Sequence, residues 1–409
     1  MPFIRESETG ILANNPHRFL KRKSSPVCGG AGALAYILTE YNGGSYLDKV
    51  VLTSGPVFSD IEQGCMVPNA PPVTICPPGE FGCVGDAMKI LLTAVFLVLI
   101  SGALSFAQDA DAARKLAYDQ KAPLEIKEIG VEQRGDVAVH DISYASPKGG
   151  RVPAYLVVPA GKGPFAAVIW GHWYWDNSAM RNRKEFLDEA VVLARSGVVS
   201  LLTDGPVARP GHVEDQTPLN EQQVTDLVQQ IVDMRRGADL LLARADVDPR
   251  RLAYVGHSYN ASVGGFLAGI DKRFKAFVLM AGGLSDELDL KSKEMQEHRQ
   301  KVGAEKFDAF IARYSWLDPG KFVSHAAPAT VFLQYATQER FLTAERARQY
   351  EAIVSDPKRF KLYEAPHALN AEARRDRIAF LVEQLQLKPP GAKAVAKIPD
   401  LVQPPEPNP

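Results

Sequence analysis

Cysteine is scarce and unevenly placed. The 409 residues hold four, Cys28, Cys65, Cys76 and Cys83, and none from residue 84 onward. No C-x-x-C pair occurs, so neither a zinc ribbon nor a dithiol redox motif is encoded. An H-E-x-x-H motif and a glycine-rich phosphate loop are also missing, since Gly264-Gly265 falls inside a helical stretch. No metal and no cofactor is expected. Excess charge is lacking too: 47 basic against 48 acidic residues give a net charge of −1, so no global field draws nucleic acid. With 46% hydrophobic and 23% charged residues, the chain is neither wholly disordered, nor collagen-like, nor a multi-span membrane protein. The length allows two domains, or one large domain with extras.

What is present falls into four stretches. Residues 88–107 carry the parts of a secretory signal: Met88, Lys89, an apolar run from Ile90 to Leu104, then Ser105-Phe106-Ala107 with small residues at −3 and −1. The expectation is a signal peptide and a periplasmic or secreted product. The alternative is a retained single-pass anchor, the one route to a membrane, although the run is short for a span of ~20 residues. Residues 1–87 read as a poorly structured leader or fused fragment, loop-like at 65–87 through its prolines and glycines. Gly29-Gly30-Ala31-Gly32-Ala33 before Leu34–Leu38, and the strand-like Lys49–Leu52, weakly resemble a hydrolase nucleophile region with Ala31 in the reactive place. Such a piece would be inert, and no function is assigned to it. Residues 389–409 read as a disordered tail, with seven prolines in the 22 residues from Lys388.

Residues 110–388 alternate strand and helix signals, the pattern of an α/β fold with a mainly parallel sheet. Val137–Tyr144 and Val152–Val158 flank a turn at Pro147–Gly150 and predict an antiparallel opening hairpin. Short apolar runs at Phe165–Trp170, Val198–Leu202, Arg251–Val255, Phe274–Met280, Ala329–Tyr335 and Phe360–Tyr363 predict buried strands. Helices are predicted at Glu185–Ser196, after an Asn220 cap, and at Ala371–Leu385. The charged stretch at about 284–327 predicts a small helical cap.

Chemistry concentrates at Gly256-His257-Ser258-Tyr259-Asn260, a near match to G-x-S-x-G between a strand and a small-residue helix. Small neighbours let strand and helix approach while the Ser258 hydroxyl projects. Asn260 in place of the second glycine is a departure. A serine needs a base oriented by an acid. His367, directly after the last strand, suits the base better than His325. Glu339 is the first carboxylate after the preceding strand and suits the acid. Glu345 reads as solvated, and Asp204 falls in the wrong chain order. Oxyanion donors are expected from the backbone N–H of Tyr259 and, in the Gly171–Asp176 loop, of Trp173. His172, Tyr174, Trp175 and His257 are expected to wall the substrate pocket.

These motifs, with Gln334–Glu339 and Ala365–Asn370, make residues ~135–387 resemble the α/β-hydrolase superfamily. Within it the chain is similar to dienelactone-hydrolase-like and prolyl-oligopeptidase-like serine hydrolases. The resemblance implies a doubly wound eight-stranded sheet and hydrolysis through an acyl-enzyme. Dienelactone hydrolases use a cysteine nucleophile, which this domain lacks. The expectation is a serine esterase with a Ser-His-Glu triad acting on a small-molecule ester. The alternatives are a peptidase or other acyl hydrolase with the same triad, and a catalytically silent binding protein. Without cysteine, the domain would rely on its packed core in an oxidising compartment.

Overall fold

The computed structural model describes residues 112, 114–213, 217, 219–283, 285, 290–339 and 342–405. The leader at 1–87 and the signal-like segment at 88–107 lie outside the described residues. Among the described residues, no helix is long and apolar enough to cross a membrane.

The chain opens with three strands, β1 (Lys127–Arg134), β2 (Val137–Ala145) and β3 (Arg151–Val158). Alternation then sets in: β4 (Phe165–Gly171), α1 (Leu187–Ala194), β5 (Val198–Thr203), α2 (Glu221–Leu242), β6 (Val247–His257), α3 (Tyr259–Ile270) and β7 (Ala276–Met280). Three helices follow, α4 (Lys293–Val302), α5 (Ala304–Tyr314) and α6 (Pro319–Val323). The last elements are β8 (Thr330–Ala336), α7 (Ala344–Ile353), β9 (Lys358–Tyr363), α8 (Ala371–Leu385) and α9 (Ala392–Val395).

The strands form one nine-stranded sheet in the order β1-β2-β3-β5-β4-β6-β7-β8-β9. β1, β2 and β3 pair antiparallel, β3 meets β5 antiparallel, and every later pair is parallel. Strands β4, β5 and β7 are buried throughout, which is why they read as unbroken apolar runs. Successive residues still serve different faces. Ala167, Ile169, Tyr254, Phe277 and Leu333 pack with α2, α3 and α7. Val168, Trp170, Val255, Val278 and Phe332 pack with α1 and α8. The sheet is therefore doubly wound. The order of strand addition reverses at β4, with β5 on one side and β6 on the other, so the carboxyl ends of β4 and β6 open the crevice where such sheets bind ligands.

Three expectations need correction. The sheet has nine strands, not eight, because β1 was missed. Its sequence KEIGVEQR is exposed almost end to end, and Ile129 and Val131 face solvent, so no buried face marks it. The cap stretch is divided. α4 and α5 lie outside the sheet, whereas Phe322 and Val323 of α6 enter the core beside α3. The tail from 389 to 405 is not loose. Val395 and Ile398 are buried against α8 and α1, and Arg374 bonds Pro399 O at 3.1 Å and the Asp400 carboxylate at 2.9 Å. Proline brings no N–H that needs a partner, so two apolar anchors and one arginine suffice to dock it.

Candidate active site

Ser258 sits where β6 turns into α3, at φ 55° and ψ −116°. That conformation is strained for an L-residue. It is held by Ser258 N–H, which donates to Met280 O at 2.7 Å. Two glycines make room for the turn. A Cβ on Gly256 would lie 2.1 Å from Asn260 O, and one on Gly282 would lie 2.1 Å from Ser258 O.

The Asn260 departure has a structural reason. Its buried side chain donates from Nδ2 to His172 O at 2.6 Å and accepts from Gln230 Nε2 at 3.0 Å. The space it fills faces Gly171, where a Cβ would meet Asn260 Cβ at 2.5 Å. The glycine required at this crossing has moved from the helix to the end of β4.

His367 lies in the loop between β9 and α8, with Leu369 at φ 61° and Asn370 capping the helix through Ala373 N–H. Its Nδ1 is 2.5 Å from Glu339 Oε1, in the loop after β8. The Glu339 side chain is 4% exposed, so this carboxylate meets the imidazole away from water. His367 Nε2 is buried with no hydrogen-bond partner among the described residues. Burial lowers the His367 pKa below its ordinary value, and the Glu339 carboxylate pulls the other way. The imidazole is thus neutral at pH 7, with Nδ1–H given to Glu339 and Nε2 open as an acceptor. Asp204 serves elsewhere, accepting Arg183 N–H at 2.8 Å, and Glu345 and His325 are exposed.

The loop after β4 departs from expectation. Trp173 N–H, expected as an oxyanion donor, instead gives its hydrogen to Glu185 Oε2 at 2.6 Å. His172 and His257, expected as pocket walls, are buried. His172 Nε2 accepts Gly205 N–H at 3.0 Å, and burial lowers its pKa, so it is a neutral brace between the loops after β4 and β5. His257 pairs with Glu185 and with the carbonyl of His367. Trp175 and Tyr174 do face the site. Trp175 packs on His367 with ring centres 5.0 Å apart, and its Nε1 donates to Pro404 O of the tail at 3.0 Å. Tyr174 stacks on Tyr259 at 4.0 Å. Tyr259 N–H opens α3, where first-turn N–H groups have no partner within the helix.

Two contributors escaped the sequence reading. Glu185 looks like any acidic residue opening a helix, and nothing in its spacing marks it as buried. Gln403 accepts Ala368 N–H at 3.0 Å from inside a proline-rich stretch whose composition hides any packing role.

A cavity of about 600 Å³ opens between α2 and the cap helices α4 and α5, walled by Val224, Leu227, Met295, Phe307, Phe310 and Tyr259. No cluster of His, Cys, Asp or Glu able to hold a metal ion occurs among the described residues.

No family model and no curated protein matches the sequence. Solved structures do resemble it. The acetyl xylan esterase from Paenibacillus sp. R4 is 17% identical with a TM-score of 0.54, over 69% of this chain and 94% of its own. Acetyl xylan esterase 1 from Thermoanaerobacterium sp. JW/SL YS485 is 17% identical with a TM-score of 0.56, over 68% and 93%. At that identity the likeness is one of fold. With the doubly wound sheet, the strained serine after β6 and a histidine after the last strand, it gives this chain the α/β-hydrolase fold.

Proposed function

We propose that the chain hydrolyses carboxylic esters of small molecules through a Ser258-His367-Glu339 triad. The carrying observation is the Glu339–His367 hydrogen bond at 2.5 Å, which leaves a buried, open Nε2 on the sheet edge that presents Ser258. In this reading His367 Nε2 takes the Ser258 hydroxyl proton as Oγ attacks the ester carbonyl. The same proton then passes to the leaving alkoxide. Water, activated by His367, releases the acid from the acyl-enzyme. Glu339 fixes the Nδ1–H tautomer and stabilises the imidazolium. Tyr259 N–H holds the oxyanion. Because Glu185 occupies Trp173 N–H, the second donor in this reading is the next N–H of that loop, Tyr174.

Two considerations favour an ester substrate. The two solved structures named above are acetyl xylan esterases. The cavity beside Tyr259 is walled mainly by apolar side chains and suits an uncharged acyl or alcohol group. The signal-like segment at 88–107 supports a site of action in the periplasm or outside the cell.

The test is turnover of a p-nitrophenyl ester beside the matching anilide. The ester should be cleaved far faster, and Ser258→Ala should lower kcat by a factor of about 10³ or more. Faster anilide cleavage would make the protein a peptidase-type enzyme. An unchanged Ser258→Ala rate would remove Ser258 from the mechanism.

A further inference from the structure

Behind His367 lies a buried pair that the triad does not use. Glu185 precedes α1, and His257 stands between Gly256 and Ser258. Their side chains are 2% and 0% exposed. His257 Nδ1 lies 2.6 Å from Glu185 Oε1, and Glu185 Oε2 accepts Trp173 N–H at 2.6 Å. His257 Nε2 lies 2.9 Å from the carbonyl oxygen of His367. A carbonyl oxygen can only accept, so Nε2 carries a proton and donates. One more proton is then needed between Nδ1 and the carboxylate, whichever partner holds it. The pair is therefore neutral overall and leaves no unpaired charge in the core.

Its bonds go to three loops. Glu185 holds the loop after β4 through Trp173 N–H. His257 belongs to the turn after β6 that carries Ser258. His257 Nε2–H reaches the loop after β9 at the backbone of His367 itself. The three rings also pack on one another, with His257 5.2 Å from both Trp173 and His367 and those two 6.2 Å apart. Among the described residues the His367 side chain has one hydrogen bond, to Glu339, because Nε2 is open. A bond to its own carbonyl is thus a direct restraint on where the imidazole stands.

We propose that Glu185 and His257 form a positioning dyad, which fixes the base relative to the nucleophile by holding the His367 carbonyl. The proposal rests on the reading of His367 as the base. A misplacement of about 1 Å can cost about 10²-fold in rate, so the dyad's effect should appear in kcat and not in KM.

Two amide substitutions separate positioning from plain stability. In His257→Gln the side-chain NH₂ takes the place of Nε2 and still reaches His367 O. In His257→Asn it takes the place of Nδ1, keeps Glu185 company and falls short of His367. The expected result is kcat within about threefold of wild type for Gln and lowered about 30-fold or more for Asn, at like KM and like Tm. A second readout needs no turnover. The far-downfield proton resonance of His367 Nδ1–H, assigned by its loss in Glu339→Gln, should stay sharp in the Gln variant and broaden or shift in the Asn variant. If the two variants behave alike in kcat and in this resonance, the dyad only stabilises the core and the proposal fails. Absent ester turnover by the wild type would overturn the proposed function instead, while the resonance would still decide the positioning role.

Discussion

Strain at a single residue organises the site. The backbone of Ser258 costs on the order of 1–3 kcal/mol in its observed conformation, and Gly256 and Gly282 are what permit it. The proposed base, His367, is tuned as locally. Burial disfavours the imidazolium of His367, and the Glu339 carboxylate partly offsets this. In the proposed mechanism the neutral form is the active one, so kcat/KM should fall on acidification with a midpoint below the ordinary 6.5 of histidine. Glu339→Gln removes the charge that favours imidazolium, so its midpoint should move lower still, along with a reduced rate. Stopped-time ester assays from acid to neutral pH check both. A midpoint above 6.5 would mean that a different group titrates. At this scale, Ser258, Glu339 and His367 were readable as candidates because chain order and strand ends constrain them. The partner of Trp173 N–H was not, because Glu185 meets it only through the folded path of the loop.

The elements explain a departure that the motif alone leaves open. Where β4, β6 and α3 cross, Asn260 occupies the helix position and Gly171 yields the space on the strand. Adding a methyl at Gly171 should therefore overpack the crossing. Gly171→Ala is expected to destabilise by about 1–3 kcal/mol, read from chemical denaturation. In an Asn260→Gly background the same change should cost much less, because its neighbour is gone, although loss of the Asn260 side-chain hydrogen bonds lowers that baseline. Equal costs in both backgrounds would contradict this account. Most strands and the last helix were legible because parallel strands need unbroken apolar runs and helices need a 3.6-residue stripe. β1 was not. It is an edge strand with a solvated outer row, held by backbone pairing to β2, and such pairing leaves no trace in composition.

Across the whole molecule, the segment 399–405 returns to the candidate site. Residues 399–405 pass the site where Trp175 and Ala368 flank His367, and Pro404 and Gln403 bond to them. Deleting residues 402–409 removes these two hydrogen bonds, of about 1 kcal/mol each, and leaves the Arg374 contacts to Pro399 and Asp400 in place. At about 2–4 °C per kcal/mol for a domain of this size, Tm should drop by roughly 4–8 °C, with a fall in ester turnover as Trp175 loosens from His367. Calorimetry and kinetics on the truncated chain check this, and an unchanged Tm would return the tail to a passive role. Proline content misled the sequence reading here because it reports a lack of regular structure, which is different from a lack of packing. The central claim is that Ser258 is the activated serine of the proposed mechanism. Intact-protein mass after treatment with a fluorophosphonate, followed by peptide mapping, tests it most directly. The account predicts a single adduct per chain, on Ser258, absent in Ser258→Ala. No adduct on the folded wild type, or an adduct on another residue, would contradict it.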